Sequence, residues 1–114
     1  MLISFNSYGE NVCFKTDGQN RDGIFYLSND TEPFTGKNLC LYEDGQFSIK
    51  GQFKDGKPDG NWTVWHQNGQ IQSEENYKDG KKDGKHTSWY VENGIKKIYS
   101  DAYYEDGECI SGDC

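Results

Sequence analysis

The sequence predicts an all-β fold: an elongated single antiparallel sheet of consecutive β-hairpin repeats. Three observations carry that expectation. First, only 32% of the 114 residues are hydrophobic, yet 15% are aromatic, so burial rests on Tyr, Phe and Trp, which favour strands. Without those rings, a mean hydropathy of −1.01 would suggest disorder. Second, a glycine-punctuated unit recurs at an offset of 24 residues, with Phe53-Lys54-Asp55-Gly56-Lys57-Pro58-Asp59-Gly60 matched by Tyr77-Lys78-Asp79-Gly80-Lys81-Lys82-Asp83-Gly84. Third, the segments between turns alternate in the two-residue period of a strand.

Taken in order, residues 1–20 read as an N-terminal strand or the remnant of an apolar leader, Met1-Leu2-Ile3-Ser4-Phe5 being too short for a whole signal peptide. Residues 21–107 read as the repeats. A loose version is present from Phe14 to Gly23, and Thr35-Gly36-Lys37 opens the first full unit. Asp44-Gly45, Asn68-Gly69 and Asn93-Gly94 have the composition of two-residue hairpin turns. The longer turns, with two glycines four apart, would join one hairpin to the next.

Between these turns Phe47, Ile49, Gly51 and Phe53 fall on one face of a regular strand. Their counterparts are Ile71, Ser73, Glu75 and Tyr77, then Ile98, Ser100, Ala102 and Tyr104. Trp62 and Trp65, three apart, would point to opposite faces unless a bulge realigns them. The third unit carries small insertions, and residues 108–114 read as a cysteine-containing cap on a single folding unit. No window combines a cap, helical spacing and freedom from glycine, so helix is expected to be nearly absent.

The Tyr/Phe-Lys-Asp-Gly-Lys-x-Asp-Gly turns, followed by Trp-x-x-Trp and Asn-Gly-Gln, resemble the MORN repeat variant. Arg21 to Tyr26 and Glu32 to Lys37 are similar to the lead-in segment of bacterial YwqK-type antitoxin-like repeat proteins. The resemblance covers about residues 21–107 and departs from the pattern where His86 replaces Trp. It implies a string of hairpins in one twisted sheet, no enzymatic activity, and a role in binding proteins or, as proposed for the parent repeats, membrane surfaces.

Charge narrows the partners. Twelve Lys plus Arg against nineteen Asp plus Glu give a net charge of −7, which repels nucleic-acid phosphates and disfavours anionic lipid. No stretch approaches the roughly 18 apolar residues of a membrane-spanning helix. His66 and His86 occupy different repeat positions, so no catalytic residues are assigned. Asp17, Asp22, Asp55, Asp59, Asp79 and Asp83 recur beside glycine, which tight turns select on backbone grounds, and neither metal ligands nor a cofactor are expected.

Cysteines 13, 40, 109 and 114 allow three disulfide connectivities, the favoured local pair being Cys109 with Cys114 across a turn-forming spacer; the alternative is reduced, partly buried thiols. A thin core with four cysteines suits an oxidising compartment, so an exported bacterial protein is expected, with the cytoplasm as the alternative.

A single-layer sheet cannot bury both faces without a partner, a curl or a dimer. Another protein, or self-association, is therefore the expected partner, and Trp62, Trp65, Trp89, Tyr90, Tyr99 and Tyr103 are the candidate binding face.

Overall fold

The computed structural model describes residues 12–114, which contain no helix. The leader reading of Met1 to Phe5, like the rest of residues 1–11, lies outside the described residues. Two short strands, β1 (Gly18–Arg21) and β2 (Ile24–Leu27), form a separate hairpin. The remaining strands are β3 (Gly36–Leu41), β4 (Phe47–Lys54), β5 (Lys57–Pro58), β6 (Gly60–Trp65), β7 (Ile71–Lys78), β8 (Lys81–Lys82), β9 (Gly84–Glu92), β10 (Ile95–Glu105) and β11 (Glu108–Gly112). They make one antiparallel sheet of nine strands, in the order β11-β10-β9-β7-β6-β4-β3, with β5 on β4 and β8 on β7. Neighbours in sequence are neighbours in space, as the meander requires.

Backbone angles keep Asn93-Gly94 as the expected two-residue hairpin turn but exchange the expected roles of Asp44-Gly45 and Asn68-Gly69 with those of the longer turns. At Asp55-Gly56 both central residues have positive φ, 52° and 79°, and Asp79-Gly80, Asn93-Gly94 and Asp106-Gly107 repeat the pattern, which is that of a two-residue type I′ hairpin. At Asp44-Gly45 and Asn68-Gly69 only the glycine is in that region. There Gly45 N–H donates to Tyr42 O at 2.9 Å and Tyr42 N–H to Gln46 O at 2.8 Å, a tight turn closed by a left-handed glycine. Asp44 and Asn68 accept the backbone N–H two residues on, at 3.0 and 2.9 Å. A side chain bonded in that way fixes the turn without the residue itself entering the left-handed region.

The β3–β4, β6–β7 and β9–β10 hairpins each carry a bulge, and it corrects the facial assignment. Cys40 pairs with Ile49 but Leu41 with Phe47, Val64 with Ser73 but Trp65 with Ile71, and Ser88 with Ser100 but Trp89 with Ile98. Ser48, Gln72 and Tyr99 are the extra residues. An extra residue shifts the alternation by one, so Phe47, Ile71 and Ile98 leave the face of Ile49, Ser73 and Ser100 for the opposite one. There Phe47 meets Trp65, ring centroids 5.5 Å apart. Trp62 and Trp65 do lie on opposite faces, and both faces carry aromatics.

The paired aspartates of the repeat serve neighbouring units. Gly56, Gly80 and Gly107 donate their N–H groups to the carbonyls of Phe34, Pro58 and Lys82 at 2.7, 3.0 and 2.8 Å. The preceding Asp55, Asp79 and Asp106 donate theirs to Thr35 Oγ1, Asp59 Oδ1 and Asp83 Oδ1 at 2.8, 3.4 and 3.3 Å. The type I′ turns at Asp55-Gly56, Asp79-Gly80 and Asp106-Gly107 thus dock on the irregular step of the unit before, which explains on backbone grounds why Asp-Gly recurs twice per unit.

The sheet's N-terminal half is covered on one face by β1, β2 and residues 12–14. Leu39 N–H donates to Val12 O and Phe25 N–H to Gly56 O, each at 2.8 Å. Phe14 N–H donates to the side chain of Asn38, fully buried, at 2.8 Å. A Cys13–Cys40 disulfide staples the segment down. Under it lies the core of Val12, Phe25, Leu27, Phe34, Cys40, Ile49, Phe53 and Trp62. Gly51 faces Trp62 across the sheet, and a methyl group there would overlap the indole. Its lack of a side chain is what lets the largest ring of the core lie against the backbone.

Candidate interaction surface

Sheet edges decide what this fold can offer a partner, because an unpaired strand presents a row of N–H and C=O groups. At the β3 edge that row is partly occupied by the 12–14 segment. At the other end β11 pairs only with Ala102–Glu105 of β10. Asp113 continues the cap by one step: its N–H donates to Asp101 O at 2.9 Å and its carboxylate accepts the Asp101 N–H at 2.8 Å. From Ile95 to Ser100, no described strand lies on the outer side of β10. The second disulfide, Cys109–Cys114, closes β11 on itself next to this boundary, joining the pair favoured from sequence.

The open stretch is also where apolar side chains are left in solvent. Ile95, Ile98 and Tyr99 are 60%, 57% and 75% exposed, and Tyr90 and Val91 of the same hairpin are exposed too. The β9–β10 hairpin carries them beyond the pairs it makes with β7, at Thr87 and Ser88. Glu92 and Lys97 form an ion pair across the hairpin at 2.7 Å. It is well exposed, so it contributes little to stability and mainly helps hold the register.

The six aromatic residues read from sequence as one binding face are divided by this geometry. Trp62 is buried in the covered core, 7% exposed. Trp65, Trp89 and Tyr103 fall on the opposite face by strand alternation, Trp89 and Tyr103 beneath the ammonium groups of Lys96 and Lys85 at 4.6 and 5.9 Å. Tyr90 and Tyr99 meet at the hairpin end, ring centroids 6.4 Å apart. Of the six, Tyr90 and Tyr99 belong to the open edge, and Ile95 and Ile98 join them. Strict alternation placed Ile98 on the inward face, and Ile95 was assigned to no face.

On the covered side, Phe53, Trp62, Tyr77, His86 and Tyr104 occupy one row across the sheet. His86, standing where the repeat has Trp62, lies between the rings of Tyr77 and Tyr104 at 5.4 and 4.8 Å, with Nε2 2.7 Å from Asn76 O. His66 begins the Asn68-Gly69 turn. The Tyr77 hydroxyl donates to Glu75 Oε1 at 2.6 Å. Burial first, then this bond and the carboxylate's charge, push the Tyr77 hydroxyl well above its usual 10, so it remains a donor at any neutral pH.

Above pH 10 the unfolded chain releases the Tyr77 proton while the folded chain retains it, so stability falls as pH rises. In Tyr77→Phe this part of the alkaline loss is expected to disappear. Urea unfolding of both proteins at pH 8 and 11 checks it; an unchanged pH dependence in the variant would contradict the assignment.

Comparison of the chain with protein-family models, with curated proteins and with solved structures found no match in any of the three.

Proposed function

We propose that this chain is a non-enzymatic β-repeat module that binds another protein, taking an extended segment of it as an added strand along Ile95–Ser100 of β10. The observation that carries the reading is the coincidence of an open edge with exposed Ile95, Ile98 and Tyr99. Main-chain hydrogen bonds to such an edge supply affinity, and alternate side chains of the incoming strand supply specificity. Exposed edges are normally blunted by charge, proline or a covering segment. Here the second half of the same edge strand, Ala102–Glu105, is capped by β11 and the first, Ile95–Ser100, is not. The repeat turns' similarity to the MORN variant supports an antitoxin-like binding role of the same kind.

Peptides selected for binding from a random-sequence library provide the test. They are expected to slow amide hydrogen exchange at residues 95–100, and Ile98→Lys, a charge at the edge, is expected to weaken them about tenfold. Protection confined to other strands, with Ile98→Lys binding as well as the parent, would refute the reading.

A second reading, a peripheral membrane or cell-envelope protein, is favoured by Lys96 and Lys97 standing among these apolar residues. Each lysine near an anionic surface contributes about 1 kcal/mol, opposed by the net charge of −7. Flotation with anionic vesicles, lost at high salt, would select it over the first.

A further inference from the structure

A cavity of about 330 Å³ opens where the N-terminal cover meets the sheet. This is within the range of small-molecule sites, and it lies on the covered side of the sheet, so it makes no use of the open β10 edge. Its walls include the rings of Phe14, Phe25, Phe53, Trp62 and Tyr77, and Glu75 is the one charged side chain that lines it.

The rings meet more often at steep angles than in stacks. Phe14 and Trp62 stand at 75°, Phe53 and Trp62 at 79°, and Phe14 and Phe53 at 68°, with centroids 6.2, 5.1 and 6.3 Å apart. Only Phe25 and Phe53 are stacked, at 25°. Aromatic walls set at angles around a space, with a carboxylate on one side, are the chemistry that holds an alkylammonium group: the ring faces are negative, and the diffuse charge of a methylated nitrogen sheds its water easily. The same row already holds one ammonium, since Lys82 Nζ lies over the Tyr104 ring at 4.9 Å.

Two further features sharpen the ligand. Among the described residues, the buried Trp62 indole Nε1–H has no hydrogen-bond partner. A buried donor left unpaired is destabilising, so a ligand oxygen that accepts from it gains affinity. The Tyr77 hydroxyl donates to Glu75 Oε1 and Ser73 Oγ approaches Oε2 at 3.5 Å, which orients the carboxylate. An anionic ligand would meet this carboxylate and the chain's negative field, whereas a cation is drawn by both.

We propose that the cavity binds an alkylammonium group that carries an oxygen acceptor, the chemistry of a choline-type headgroup.

Choline, added to the oxidised full chain, is the probe, and 3,3-dimethyl-1-butanol, its uncharged carbon isostere, is the control. Two-dimensional NMR separates the three tryptophan indole signals, so Trp62 reports for itself. Choline is expected to shift the Trp62 indole N–H and leave those of Trp65 and Trp89 in place, with the isostere binding at least about tenfold more weakly. Glu75→Gln preserves shape and is expected to weaken choline about tenfold, while Ile98→Lys leaves it unchanged. Equal binding of choline and the isostere overturns the assignment, as does a saturating concentration of choline that leaves the Trp62 signal unmoved. Phosphatidylcholine vesicles separate the sources: choline binding with vesicle binding indicates a lipid headgroup, choline binding without it a free ligand, and vesicle binding without choline binding overturns the site. Because no arm except Ile98→Lys touches β10, failure here leaves the strand-binding reading standing, and the reverse also holds.

Discussion

Trp62→Ala is expected to destabilise the protein by about 3–5 kcal/mol, the range for deleting a large buried ring. The ring is 7% exposed and touches Phe14 and Phe53 edge to face, so truncation removes contacts to the cover and to the sheet together. Gly51 leaves no side chain opposite to fill the space, which limits relaxation. Trp65→Ala is the matched comparison. Trp65 occupies the same strand but the uncovered face, half-buried against Phe47, and its loss is expected to amount to roughly 1–2 kcal/mol. Urea unfolding at pH 7 measures both. Equal losses would show that the N-terminal segment does not form the main core over Trp62.

The second large effect concerns the staple. Serine at both Cys13 and Cys40 is expected to lower stability by about 3.5 kcal/mol, the chain-entropy value for residues 27 apart in sequence. Serine at both Cys109 and Cys114, only 5 apart, is expected to remove about 2 kcal/mol or less. The two losses should also differ in kind. Freeing residues 12–14 loosens the cover and exposes Phe53 and Trp62, so the first variant is expected to bind the apolar dye ANS below its unfolding transition. The second loosens a strand at the rim and should not. Dye binding in both variants, or in neither, would contradict this division. Any covered-face ligand would be lost with the first pair and retained with the second.

These effects fall on residues that the sequence treats as near equivalents. Trp62 and Trp65 have similar neighbours in the repeat, and four cysteines have the same chemistry. Alternation along β6 assigns the two tryptophans to different faces, but it cannot say which face will be covered. That depended on Val12, Phe14, Phe25 and Leu27 folding back over the first half of the meander and stopping there. Contacts between residues so far apart in sequence leave no local periodicity to read.

The turns show a finer version of the same boundary. Asp-Gly and Asn-Gly mark chain reversal at residues 44–45, 55–56, 68–69, 79–80, 93–94 and 106–107, but at Asp59-Gly60 and Asp83-Gly84 the chain runs on in the same direction. Whether the Asp takes positive φ, as at Asp55, or stays out of that region, as at Asp44, was settled by the flanking strands. A type I′ turn matches their twist when two residues link them, and a turn closed by a left-handed glycine matches when the loop is longer. The bulges at Ser48, Gln72 and Tyr99 are equally silent in sequence, since an extra residue in a strand looks like any other. They move Phe47, Ile71 and Ile98 to the opposite face and so undo a facial assignment built on strict alternation.

What the sequence determined by itself is the all-β meander, its turn positions and its repeat. Glycine geometry, aromatic strand preference and the two-residue period act within a few residues and leave their mark in order along the chain. Only the tertiary structure decided which face is covered, which edge stays open and where a cavity forms. A sheet's two faces and two edges are alike in local chemistry, and they become distinct only when a remote segment covers one of them and leaves its counterpart bare.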